Sequence, residues 1–323
     1  MHINRGLLFW GLALITAGAV ALGVQQGIID RNLLVDAWRL WPLILVAIGL
    51  GIILARTPFA PLGTVVAALV VGIGAGALFS VGPTIGFNCG GADPTDLQTE
   101  SGTFGGGSAS VDLDFNCGTL EVAMAGGSDW QARTGVTGDN REVRLSSDDG
   151  SLTIRSPEGG FGFGNEGKQR WEVTLGTDVT YDLQINANAG TSRLDLAGGQ
   201  FSNLAIDPNA NDLRIDLSGT GADDFSLSMN AGSARILTDG ATDLAGDIGM
   251  NAGSLKLCTD PAVGLRFVVD GNITFSHNLD DAGLNQSDDT WTTDGFEGAA
   301  HKIDIRLEGN AASFELNPEG GCS

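Results

Sequence analysis

Asn188-Ala189-Gly190-Thr191, Asn209-Ala210-Asn211-Asp212, Asn230-Ala231-Gly232-Ser233 and Asn251-Ala252-Gly253-Ser254 are four copies of one phrase, each beginning 21 residues after the last. A fixed period of this length is the mark of a repeat architecture. Apolar residues keep the same step. Leu194, Ile215, Ile236 and Leu257 lie six residues after the successive asparagines, and Ile206, Leu227, Ile248 and Val269 lie eighteen after them. Around these positions apolar and polar residues alternate, as in Leu194-Asp195-Leu196 and Phe225-Ser226-Leu227, the period of a strand with one buried face. Gly, Asp and Asn separate the runs, so each coil reads as strand, turn, strand, turn. Stacking such coils pairs every strand with its neighbours at about 4.8 Å and buries an interior that no single coil could make. The sequence predicts an all-β stacked β-solenoid (β-helix) with 21-residue coils.

In such a stack Asn188, Asn209, Asn230 and Asn251 fall one above another, a structural side-chain ladder that satisfies turn backbone groups. The Gly or Asn two residues on supplies the permissive dihedrals of the corner. The eight apolar residues named above form the predicted core. Asn116-Cys117-Gly118-Thr119 and Asn310-Ala311-Ala312-Ser313 are degenerate echoes, so related coils extend from about residue 97 to the C-terminus, with atypical caps at the ends. The polar, turn-rich stretch from Asp280 to Gly298 reads as an exposed loop or irregular coil.

The N-terminal part is built differently. Residues 6–24, 40–55 and 62–82 carry no charge and approach the roughly 20 residues a helix needs to cross a bilayer. Trp38 and Trp41 suit the membrane interface. The organisation expected is an all-α transmembrane region over 1–87, a linker over 88–96, and the β-solenoid over 97–323. Arg5 and Arg56 then lie on the cytoplasmic side, which obeys the positive-inside bias. The chain is expected to be a multi-pass protein of the cytoplasmic membrane, with its N-terminus inside and its C-terminal domain outside. Ala19-Val20-Ala21 also fits a signal-peptide cleavage site, and cleavage there leaves two crossings and the same exposed domain. Ala68, Gly72 and Gly76 form a small-residue face for helix packing, either within the chain or in a homo-oligomer.

Up to Phe87 there are four basic and two acidic residues. Of the chain's 17 basic and 39 acidic residues this leaves 13 and 37 beyond Phe87, a net charge of −24. That field disfavours nucleic acid and anionic surfaces. The partner expected of the helices is the lipid bilayer. The four cysteines, Cys89, Cys117, Cys258 and Cys322, lack the close spacing of a zinc site or a redox pair. An even count outside the cell suggests disulfides, with free buried thiols the alternative. Three pairings are open; Cys89 with Cys117 and Cys258 with Cys322 is preferred because each bridge staples one end of the domain.

Chemistry is sparse. Gly162-Phe163-Gly164-Asn165-Glu166-Gly167 has the letters of a nucleotide-binding loop, but a strand-like run, Trp171 to Leu175, follows where a helix is required. His2, His277 and His301 are scattered. Asp148-Asp149, Asp223-Asp224, Asp280-Asp281 and Asp288-Asp289 sit in turn-like sequence without a calcium-loop spacing. No catalytic residue, cofactor or metal is expected, and the chain does not read as an enzyme.

Two resemblances bear on function. Trp38-Arg39-Leu40-Trp41-Pro42-Leu43-Ile44-Leu45-Val46-Ala47-Ile48-Gly49-Leu50 resembles the LiaI/LiaF-like transmembrane region of bacterial envelope-stress proteins. Trp171-Glu172-Val173-Thr174-Leu175, Tyr181-Asp182-Leu183-Gln184-Ile185 and Asn188 to Leu196 resemble the toast-rack, DUF2154 or DUF4097 adhesin-like β-solenoid family. Together they imply a LiaF-like regulator or sensor of envelope stress acting beside a membrane histidine kinase or another envelope protein. A structural or adhesive surface module that self-associates is the alternative.

Overall fold

A computed structural model describes residues 11, 12, 14–16, 92–137, 142–157, 167–271 and 275–322. The chain divides into two compact units, Met1–Gly86 and Phe87–Ser323. In the first, Gly11, Leu12 and Leu14 to Thr16 are helical, with the Thr16 hydroxyl donating to the Leu12 carbonyl at 2.8 Å. Among the described residues no helix is long and apolar enough to cross a membrane. The remainder of 6–24, the predicted spans 40–55 and 62–82, and Ala68, Gly72 and Gly76 lie outside the described residues.

The second unit is built of strands. In chain order they are β1 (Gln98–Thr103), β2 (Ser108–Ala125), β3 (Asp129–Val136), β4 (Arg144–Asp148), β5 (Ser151–Arg155), β6 (Gln169–Gly176), β7 (Thr180–Asp195) and β8 (Gln200–Asp216). There follow β9 (Gly221–Met229), β10 (Ala231–Leu237), β11 (Asp243–Cys258), β12 (Gly264–Gly271), β13 (Ser276–His277), β14 (Asn285–Ser287), β15 (Thr290–Thr292) and β16 (Lys302–Leu316). The sixteen strands form one hydrogen-bonded system.

The long strands explain the coil. β7 runs along a first arm to Ala187, bends at Asn188, and continues as a second arm from Ala189. β8 repeats this beneath it, in parallel and in register, with Ile185 opposite Ile206 and Leu194 opposite Ile215. β9 with β10, and then β11, continue the stack. Alternation decides burial: Tyr181, Leu183, Ile185 and Ala187 are buried, whereas Asp182, Gln184 and Asn186 face outward. Leu194, Ile206, Ile215, Leu227, Ile236, Ile248 and Leu257 all lie in the buried core, and Val269 is half-buried against it. The two arms meet across that core, where the rings of Phe267 and Phe314 are 5.5 Å apart.

At both ends the order in space departs from the order in the chain. β7 pairs with β2, and outside β2 lie β5 and β6, which are later in sequence. β6 then turns antiparallel to β3, and β3 to β1. At the other end β16 is inserted between β11 and β12. A 21-residue step along the sequence puts Val269 over Ile248; in the fold Leu307 lies between them. Parallel pairing does not require chain neighbours to be stack neighbours. Placing the regular, apolar β16 inside the stack leaves the shorter, less regular strands to face solvent at the edge.

The stretch from Asp280 to Gly298 also differs from the loop expected of it. It forms the β14–β15 hairpin, antiparallel to β12, and a single 3-10 turn at Phe296–Gly298. Trp291 and Phe296 are buried. Two aromatics in a polar stretch suffice to plug the end of the stack, and a polarity average conceals them.

Candidate functional site

At the corners, the Nδ2 of Asn188 donates to Oδ1 of Asn116, Asn209 to Asn188, Asn230 to Asn209, Asn251 to Asn230, and Asn310 to Asn251. The row includes both echoes of the phrase, and every amide donates in the same direction. Each interior amide thus uses an N–H and an oxygen on its neighbours, which makes the row part of the scaffold. Two residues on, Gly190 has φ +117°, and a Cβ there would stand 2.1 Å from the Gly118 carbonyl oxygen of the next coil. Asn211 occupies the same column between Gly190 and Gly232. Its side chain is buried, and neither its oxygen nor its nitrogen has a hydrogen-bond partner.

Five residues after each of the four repeated asparagines stands a cation: Arg193, Arg214, Arg235 and Lys256. They are stacked in register on the outer face of the second arm. With Thr191, Asp212, Ser233 and Ser254 they line a groove of about 450 Å³. Glu121 lies opposite Arg193 at one end, 3.8 Å away, and Glu315 opposite Lys256 at the other, 3.6 Å away. The sequence expectations did not include this column. Its signal is the same 21-residue step, hidden by an average charge of the opposite sign.

The carboxylates flagged by sequence are dispersed. Asp148 and Asp149 lie at the β4–β5 turn, where the Gly150 N–H and then the Ser151 hydroxyl hold the Asp148 carboxyl below its usual range. Asp223 and Asp224 are in β9, and Asp280, Asp281, Asp288 and Asp289 belong to the C-terminal cap. Asp239 is held low chiefly by the Gly219 N–H, and also by the Ala241 N–H and Thr242 hydroxyl, in a turn between coils. His277 stacks edge-on against Trp291 at 4.8 Å, and His301 Nδ1 is 2.8 Å from an Asp243 oxygen. Among the described residues no group of three or more His, Cys, Asp or Glu is arranged to hold a metal. His2 and residues 162–166 of the glycine-rich loop lie outside the described residues.

Cys258 and Cys322 form a disulfide with Cα atoms 5.6 Å apart. Cys117 is also disulfide-bonded; its expected partner, Cys89, lies outside the described residues.

Residues 95–239 match the family model described as the N-terminal domain of toast_rack, DUF2154, and residues 8–53 match that of the LiaI-LiaF-like transmembrane region. Residues 95–239 are thus toast-rack-like and follow, in the sequence, a LiaI-LiaF-like segment over residues 8–53. The toast-rack domain is similar to solved structures named as candidate adhesion proteins. One from Clostridium sporogenes is 13% identical, with a TM-score of 0.43, over 68% of this chain and 99% of that one. A candidate adhesin from Bacteroides fragilis is 13% identical, with a TM-score of 0.24, over 70% of this chain and 100% of that one. A third, from Parabacteroides merdae, is 11% identical with a TM-score of 0.21, over 70% and 98%. None of the curated proteins matches the chain.

Proposed function

We propose that the protein is a non-enzymatic regulator or sensor of cell-envelope stress. Its membrane region crosses the cytoplasmic membrane several times from a cytoplasmic N-terminus and holds the toast-rack domain outside. The observation that supports this reading is the order of the two matched regions, a LiaI-LiaF-like membrane segment followed by a toast-rack domain. The domain's charge supports it as well. A net charge of −24 beyond Phe87 suits a soluble module kept away from anionic lipid headgroups. In this reading the helices contact a membrane histidine kinase and the β-domain reads a ligand or partner.

Deleting the gene should change transcription after a cell-wall antibiotic, and crosslinkers placed in the helices should capture a histidine kinase. An unchanged transcriptional response together with no kinase crosslink would sink the regulatory reading. Adhesion or self-assembly by the protein in the same experiment would replace it with a surface module.

A further inference from the structure

We infer that the outer face of the second arm is a binding site for a short, extended oligoanion, whose oxyanion groups are met by Arg193, Arg214, Arg235 and Lys256. The inference does not rest on the stress-regulating reading, because it concerns binding that can be measured on the protein itself.

Neighbouring coils are about 4.8 Å apart, so the four cations form a row about 14 Å long with like charges directly opposed. Such pairs destabilise a sheet. Elsewhere among the described strands like charges are opposed only two at a time, as in Arg144 with Arg155, Glu121 with Glu172, Asp195 with Asp216 and Asp270 with Glu308, and other cations face acids. Arg133 stands opposite Glu172, Arg266 opposite Asp304, and Arg306 opposite Asp247, each pair in contact. With 39 acidic residues against 17 basic ones, four cations in an unbroken column are the reverse of what stability or composition would place there.

Two of the acids around the row accept hydrogen bonds from serines, and one of the cations, Arg235, is half-buried with an interaction partner of its own. Asp212 accepts the Ser233 hydroxyl at 2.8 Å, and Asp216 accepts the Ser218 N–H and hydroxyl at 3.0 and 2.7 Å. Asp195 is exposed beside Arg193. Arg214, at the middle of the row, is exposed and has no ion-pair partner among the described residues. The hydroxyls of Thr191 and Ser254 lie beside the cations in the same groove and can donate to anion oxygens. Guanidinium forks match phosphate and carboxylate oxygens equally well in shape.

The ends of the row set the ligand's length. Glu121 and Glu172 continue the column beyond Arg193, and Glu315 continues it beyond Lys256. An anion of about four charges fits between them, whereas a long polyanion such as nucleic acid would run into carboxylates at both ends. At physiological salt the screening length is about 8 Å, so the row acts locally despite the domain's acidity.

The test uses the full-length protein in a neutral detergent, titrated with linear tetraphosphate, with tetragalacturonate, and with orthophosphate. One of the two four-unit probes should bind at low salt, orthophosphate about 100-fold more weakly, with a log–log salt slope of about 3. Which probe binds distinguishes a phosphate from a uronate ligand. Arg214→Glu should weaken binding at least about ten-fold while leaving the melting temperature unchanged or higher, because it relieves like-charge stacking. Arg306→Glu, the same charge change on the first arm, should leave binding unchanged. Arg214→Gln provides the reading if Arg214→Glu does not fold. No binding by either probe at low salt, or equal losses from Arg214→Glu and Arg306→Glu, would overturn the inference. So would a change in oligomeric state with Arg214→Glu and no probe binding, which would assign the row to a second copy of the chain.

Discussion

Asn188 donates its side-chain N–H to the side-chain oxygen of Asn116 at 2.9 Å, across 72 residues of chain, and Asn310 does the same to Asn251 across 59. The ladder is therefore defined by stack neighbours rather than by a sequence interval. Asn209 sits inside it, donating to Asn188 and accepting from Asn230. Asn209→Ala removes both bonds at a partly exposed corner where water can replace some of them. The expected loss is about 1–2 kcal/mol in urea unfolding with an unchanged slope; a loss below the measurement error would mean that the row contributes nothing to stability.

Gly190 and Gly198 both have positive φ, at +117° and +72°, but only the first is crowded. A Cβ on Gly190 would stand 2.1 Å from the Gly118 carbonyl, while one on Gly198 would have nothing within 4 Å. Gly190→Ala must push two coils apart and should lose about 3 kcal/mol or more, whereas Gly198→Ala should lose about 1 kcal/mol from its backbone conformation alone. Comparable melting temperatures for the two variants would show that coil spacing is not what requires Gly190.

Asn211 interrupts the glycine column with a buried amide that lacks hydrogen-bond partners. Asn211→Gly restores the phrase of its neighbours and removes a desolvated polar group worth about 1–3 kcal/mol, at a backbone cost of about 0.5–1 kcal/mol. The variant should be more stable than the parent by about 1 kcal/mol. A less stable variant would mean that the amide is satisfied in solution.

The central coils were legible because their signals are local and periodic. Ile185, Ile206, Leu227 and Ile248 share one inward column, and each asparagine recurs at the interval that the coil length dictates. The ends were not legible for the opposite reason. Nothing in Lys302 to Leu316 says that it pairs with both β11 and β12, because parallel register depends on shape and not on chain order. The cation column failed to register for a third reason: Arg193, Arg214, Arg235 and Lys256 are periodic, but their sign opposes that of the domain and vanishes in its net charge.

Tyr181 is the chain's only tyrosine, fully buried, with its hydroxyl donating to the Gly176 carbonyl at 2.8 Å. Burial pushes its pKa up to about 12. The folded state thus favours the neutral phenol. The resulting stability is fully present below about pH 10, where the unfolded tyrosine is also neutral, and is lost as pH rises towards 12, at about 1.4 kcal/mol per unit. Tyrosinate absorbance should appear well above the ordinary range and together with unfolding. Tyr181→Phe should abolish this component of the alkaline loss. Titration of the native protein near pH 10 would contradict the buried placement.

Removing β16 separates a solenoid wound in sequence order from the one described. If coils simply followed one another, ending the chain at Ala300 would delete a terminal coil and leave β11 as well packed as before. In the fold, β16 lies between β11 and β12, and Ile303, Ile305, Leu307 and Phe314 are all buried. At about 1.5–3 kcal/mol for each side chain, their removal costs about 10 kcal/mol, comparable with the whole stability of a typical domain. The truncated chain should lose hydrogen-exchange protection throughout β11 and β12. Truncation also removes Cys322, so the double variant Cys258→Ala with Cys322→Ala is the necessary control. That variant loses only the cross-link over 64 residues, about 4 kcal/mol at most, and should keep the protection pattern of β11. Retained protection of Leu244 to Met250 in the truncated chain would show that β11 does not depend on β16 as a neighbour, and would return the stack to sequence order.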